Sequence, residues 1–193
     1  MPGVLQGLAM EVHGEFVAAL SALLPHAKVD DGSGGDEMKC QDTAFNVNHD
    51  WSSRCTLFKT AAGTAVKMAP RMQVKIAAYR KHKPETGFPF AALLADPLRT
   101  TIVCDTAEAM VMTYEALSAE GSPFKITRLK HKLNAKTAPF NLHINCVFSP
   151  ANNGRPLTVE IQLIPRGIME VFTQSHKQYE IARALNAEAL TPS

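Results

Sequence analysis

The 193-residue chain has no C-x-x-C pair; its four cysteines, Cys40, Cys55, Cys104 and Cys146, are scattered. That excludes a zinc ribbon and a dithiol redox motif, and it fits a reducing compartment. An excess of either charge is also missing. With 20 Lys and Arg against 18 Asp and Glu, the formal charge is +2. No net field of that size recruits nucleic acid or a membrane, so any basic site must be a local cluster. Long apolar runs are absent too. In "VLQGLAMEVHGEFVAALSALLP", Glu11, His13 and Glu15 interrupt the hydrophobic stretch and no basic segment precedes it, so it reads as a soluble helix. The glycine-rich "DDGSGGDEMK" lacks the Gly-Lys-Ser/Thr ending that would let a loop cradle phosphate. These absences leave a soluble, intracellular, cytoplasmic protein as the expectation.

At 46% hydrophobic and 20% charged residues, the chain is long enough to bury one substantial core. Leu5, Leu8, Ala9, Val12, Phe16, Leu20 and Leu23 recur at three- and four-residue steps, predicting an amphipathic helix that ends near Pro25. "TAAGTAVKMAPRMQVKIAAYR" predicts a helix from Thr60 to about Arg80, broken or kinked at Pro70, with Arg71, Lys75, Arg80 and Lys81 as a solvated basic face. "TTIVC" suits a strand buried on both faces, with Cys104 inside it as a small hydrophobe. Thr106 can cap the helix that runs on to Gly121. Three strands follow, "FKITRLKHKL", "NLHINCVF" and "LTVEIQLI", with "SPANNGRP" turning between the last two, and a final helix is expected from about Gly167 to Leu190. The order describes an α+β fold: a mixed, largely antiparallel sheet with flanking helices.

Two of these strands carry an unusual polar face. Alternation puts Asn141, His143 and Asn145 on one side and Leu142, Ile144, Cys146 and Phe148 on the other. In "LTVEIQLIP", Thr158, Glu160 and Gln162 alternate in the same way with Leu157, Val159, Ile161 and Leu163. If the chain turns back between them, the two polar rows become cross-strand neighbours. In "FKITRLKHKLNAK", Phe124 and Ile126 share their parity with Arg128, Lys130 and Lys132, so that strand must leave the core midway or change register at a bulge. With Lys136 this makes a cationic edge beside Glu160, and Asp96 adds a second carboxylate just before the central strand. Two carboxylates next to a cationic edge can hold a polyphosphate together with Mg2+, because that ion takes oxygen ligands and neutralises phosphate charge.

At these residues the chain resembles the RelA/SpoT-like family, the nucleotidyltransferase-like fold of alarmone synthetases. "ADPLRTTIVCDTAEAMVMTYEAL" looks like the family's aspartate-led strand and helix, "VEIQLIP" like its Glu-x-Gln strand, and "SHKQYEIARA" like the helix after it. The resemblance runs from about Lys59 to Ala184 and implies a division into an N-terminal helix and loop extension, 1–50, and a synthetase domain, 51–193. It implies that Asp96 binds Mg2+ and that Glu160, catalytic and near the same ion, orients or deprotonates an acceptor ribose hydroxyl. Gln162 would place the acceptor nucleotide. Lys59 and Lys67 would contact donor phosphates, and Lys130, Lys132 and Lys136 would face phosphates as well. Arg99, Asn141, His143 and Asn145 complete the candidate nucleotide-binding set. The family's stacking tyrosine is replaced here, where "NLHIN" offers Asn141 and Asn145, and Arg99 and Thr101 stand where the family has Gly and Arg.

The implied activity is magnesium-dependent transfer of pyrophosphate from ATP to a nucleotide ribose hydroxyl, with a nucleoside triphosphate and a nucleotide acceptor as partners. The alternative is a catalytically silent nucleotide- or RNA-binding module on the same fold, and a structural interaction protein stays open as a third reading.

Overall fold

The computed structural model describes residues 2–25, 27–30, 55–58, 65–82, 90–131, 141–152 and 154–168. Helix α1 is Pro2–Leu23, and strands β1, Lys28–Asp30, and β2, Cys55–Phe58, follow it. Helix α2 is Ala69–His82 and a 3₁₀ turn covers Phe90–Leu93. Then come β3, Leu98–Cys104; α3, Ala107–Ser118; β4, Phe124–His131; β5, Leu142–Phe148; and β6, Leu157–Pro165.

The described strands form one sheet in the order β1-β2-β3-β6-β5-β4. The β1–β2 and β3–β6 pairs are parallel; β2–β3, β6–β5 and β5–β4 are antiparallel. This is the mixed, largely antiparallel α+β sheet that the element order predicts. β3 lies inside the sheet, and Ile102, Val103 and Cys104 are fully buried, so its continuous apolar run answers to burial on both faces.

One face of the sheet is the core. Leu98, Ile102, Val159, Ile161, Leu163, Ile144, Cys146 and Phe148 belong to a single hydrophobic cluster with Ala9, Val12, Phe16 and Leu20 of α1 and Ala109, Met110 and Leu117 of α3. Phe16 makes T-shaped contacts with Phe124 and Phe148 at 5.8 and 5.7 Å between centroids, and those two rings stack at 5.2 Å across the β4–β5 pair. Offset and edge-to-face contacts of this kind add to the burial itself. The first helix is therefore built into the same core as the sheet.

Local signals behave as their chemistry requires. Thr106 caps α3, its hydroxyl oxygen accepting from the Ala109 amide at 3.1 Å. Gly121, at φ 81°, supplies the left-handed turn into β4. Cys104 and Cys146 are buried, and burial pushes the Cys146 thiol up to about 12.

Of the helix expected from Thr60, broken or kinked at Pro70, residues 60–64 lie outside the described residues; Ala65 is helical, and the break falls at residues 66–68, just ahead of Pro70. α2 begins at Ala69, so Pro70 lies in its first turn, where the missing amide hydrogen has no intrahelical partner to lose. Just before it, Val66 makes an antiparallel bridge to Leu98 and the Lys67 amide donates to the Pro97 carbonyl at 2.8 Å. Residues 66–68 are thus tied to the sheet and are not helical. The final helix lies outside the described residues except for a helical turn at 166–168.

Candidate functional site

The second face of the sheet is polar, and the register states its composition. Arg99 pairs with Glu160, Glu160 with Asn145, and Asn145 with Arg128. One row further along, Thr101 pairs with Gln162, Gln162 with His143, and His143 with Lys130. Paired residues share a face, so each row crosses β3, β6, β5 and β4 in turn. The register of β4 shifts between Ile126 and Arg128, the second of the two outcomes its parity allowed. Phe124 and Ile126 stay on the core side, and Arg128 and Lys130 move to the polar side. The Thr127 hydroxyl closes the irregularity by donating to the Asn145 carbonyl at 3.0 Å.

Asp96 stands at the mouth of this face, immediately before β3, and is 6% exposed. One of its oxygens accepts from the Lys67 ammonium and the other from Lys75 at 2.8 Å. Burial alone would raise the Asp96 carboxyl, but hydrogen bonds from Lys67 and Lys75 outweigh it and hold the group below its usual value. The two lysines respond in opposite directions. Burial pulls Lys67 down despite Asp96, with Lys75 and Arg99 adding repulsion. For Lys75 burial is outweighed by Asp96, with help from Tyr79, and its value rises. The difference follows the neighbours: Lys75 and Arg99 repel the charge on Lys67, whereas Tyr79 supports the charge on Lys75.

Glu160 is held differently. Its Oε1 accepts from the Gln162 amide at 2.7 Å, and Oε2 lies 3.5 Å from His143 Nδ1. Burial opposes its charge, yet His143 and Gln162, with the field of Lys75, bring it down to about 2. Lys75 thus acts on both carboxylates and electrically joins them. Asn145 donates its amide to the Ala95 carbonyl at 3.2 Å, tying β5 to the residue before Asp96.

Of the residues singled out in the sequence, Asp96, Glu160, Lys67, Arg99, His143, Asn145 and Gln162 are brought together here. Lys130 lies on β4, the far strand of the second row. Asn141, just before β5, is fully buried, and among the described residues neither of its side-chain amide atoms has a hydrogen-bond partner, a condition His143 Nε2 shares. Lys59, Lys132 and Lys136 lie outside the described residues. Lys75 is the functional residue that sequence reasoning missed. With Met72, Ile76 and Tyr79 it occupies the inward stripe of α2, and a cation in a stripe position is the signal that was there to be read.

The chain resembles the small alarmone synthetases. The small alarmone synthetase 1 from Bacillus subtilis, bound to its product pppGpp, superposes with a TM-score of 0.49 at 16% identity, covering 64% of each chain. A GTP pyrophosphokinase family protein from Streptococcus pneumoniae gives 0.49 at 14% identity, over 62% of this chain and 58% of that one. The small alarmone synthetase 2 from Bacillus subtilis gives 0.44 at 13%, over 58% and 59%. The match thus spans less than two thirds of those proteins' length. No protein-family model and no curated protein matches the chain. This likeness is one of chain course; the chemistry rests on the residues described above.

The described residues include no group of three or more His, Cys, Asp or Glu side chains that could hold a metal ion. They also include no helix long and apolar enough to cross a membrane.

Proposed function

We propose that this chain is a nucleotide pyrophosphokinase-like protein that transfers a pyrophosphoryl group from ATP to a ribose hydroxyl of a nucleotide acceptor. The observation that carries this reading is the joining of Asp96 and Glu160 through Lys75, with Lys67 and Arg99 at the same place. In such a transfer the hydroxyl oxygen bonds to the β-phosphorus, the α–β bridge breaks, AMP leaves with the bridging oxygen, and the hydroxyl proton passes to solvent. The protein's part is positioning and charge neutralisation. Lys67, Lys75 and Arg99 supply positive charge for the donor phosphates. Glu160, held near 2, is a carboxylate at every physiological pH and a weak base, so its role is to orient the acceptor hydroxyl as a hydrogen-bond acceptor. Gln162 and His143 fix the Glu160 carboxylate for that task.

A magnesium ion suits the oxygen chemistry of Asp96 and Glu160, which would hold it, and when bound it would neutralise phosphate charge. Two carboxylates are too few to complete its shell, so the remaining oxygens would have to come from phosphate and water.

The test is incubation with ATP, each candidate nucleotide acceptor and magnesium, using the wild type, Asp96→Asn and Glu160→Gln. Pyrophosphoryl transfer by the wild type, reduced at least about a hundredfold by either substitution, is the expected result. Transfer that survives both substitutions would remove the proposed site. The silent-module reading draws on one observation, the engagement of all four carboxylate oxygens by this chain's own side chains. Binding of ATP without transfer to any acceptor would select it, and RNA binding with a steep salt dependence would select its nucleic-acid form.

A further inference from the structure

Resting on the polyphosphate reading above and deepening it, we propose that Lys67 and Lys75 latch Asp96 against free divalent cations. Polyphosphate then binds first and without metal, and a cation follows only after phosphate oxygens have drawn the Lys75 ammonium away.

Three observations support the latch. Both Asp96 oxygens are already taken, one by each lysine, so an arriving cation meets two ammoniums where it needs bare oxygens. Glu160 offers no substitute, because Gln162 holds one oxygen and His143 lies against the other. The local charge also has the wrong sign for a cation: among the described residues, the basic groups Lys67, Lys75 and Arg99 outnumber the carboxylates Asp96 and Glu160. The same excess attracts a polyanion.

The latch can open from one side. Lys75 sits on α2 with its side chain 36% exposed, whereas Lys67 is 11% exposed and lies in the stretch whose backbone is bonded to Pro97. A lysine ammonium on a flexible four-carbon stem exchanges a carboxylate for a phosphate oxygen without backbone movement. Once Lys75 has turned to phosphate, Asp96 keeps one free oxygen, and the phosphate supplies the further oxygens that Asp96 and Glu160 alone cannot.

The experiment uses the full chain and two metal-free or phosphate-free titrations. Calorimetry with inorganic tripolyphosphate in excess EDTA is expected to show saturable binding to the wild type, weakened about tenfold by Lys75→Gln. Electron paramagnetic resonance with Mn2+ and no phosphate is expected to show no saturable site on the wild type or on Lys75→Arg, which keeps the latch charged. A new Mn2+ site should appear in Lys75→Gln. Saturable Mn2+ binding to the wild type without phosphate would overturn the proposal, and so would tripolyphosphate binding that requires metal. Both decisive measurements are on the wild type, so poor folding of a variant does not blunt them. Metal-free tripolyphosphate binding by a protein that transfers nothing would sink the proposed reaction and leave the latch standing. Transfer without metal-free binding would do the reverse.

Discussion

The two faces of the sheet use the same strands to opposite ends. On β6, Val159, Ile161 and Leu163 enter the core while Glu160 and Gln162, one residue away, belong to the polar rows. The apolar side gains stability from each group it removes from water and tolerates no gap. On the polar side two carboxylates are kept charged against the penalty of burial, and each depends on named partners to remain so. Stability is therefore spread over one face and concentrated in a few contacts on the other.

The largest test of that contrast is Phe16→Ala, which removes the ring that meets both Phe124 and Phe148. Denaturant unfolding should show a loss of about 3–5 kcal/mol, while the folded variant still binds tripolyphosphate. A loss below about 1 kcal/mol would mean that α1 is an attachment rather than part of the core.

The polar face should respond to pH instead. Glu160 is depressed from 4.5 to about 2, so its contribution to stability is fully present above 4.5 and is lost as pH falls through that window. The contribution is about 3 kcal/mol. Unfolding free energies of the wild type and Glu160→Gln should differ at neutral pH and converge near pH 2. A constant difference across the window would show that the carboxylate charge is not what the site stabilises.

Asn145→Ala should cost about 1–3 kcal/mol by leaving the Ala95 carbonyl without its donor. Its transfer activity should fall further than its stability implies, since the bond holds the residue before Asp96; equal losses would make Asn145 a core residue only. Thr106→Ala is the smallest change, about 1 kcal/mol from the lost cap of α3, with metal-free phosphate binding unaltered.

What could be read in the sequence followed from periodicity. Glu160, Gln162, His143 and Asn145 announced a shared polar face because strand alternation has a period of two, and the parity conflict in β4 called for either a departure from the core or the bulge that is there. β1 and β2, of three and four residues, are too short to display any period, and neither was anticipated. The break or kink was placed at Pro70, whereas the non-helical residues are 66–68, just before it. The bridge from Val66 to Leu98 that decides the matter is a long-range contact with no local trace. Lys75 was passed over for a related reason: a lysine among other basic residues on a helix is ordinarily solvated. Its partner Asp96 comes near only through the sheet.

The position of β6 bears on how the protein is made. It lies between β3 and β5, yet it is the last strand of the described sheet to be synthesised. Until residues 157–165 emerge from the ribosome, β1-β2-β3 and β4-β5 are separate pieces, each presenting an open strand edge to other chains. Insertion of β6 closes both edges at once and, in the same step, brings Glu160 alongside Arg99 near Asp96. A nascent chain therefore has no assembled carboxylate pair and no protected sheet until that strand arrives, and a truncation before Leu157 should yield an aggregating fragment rather than a smaller folded domain.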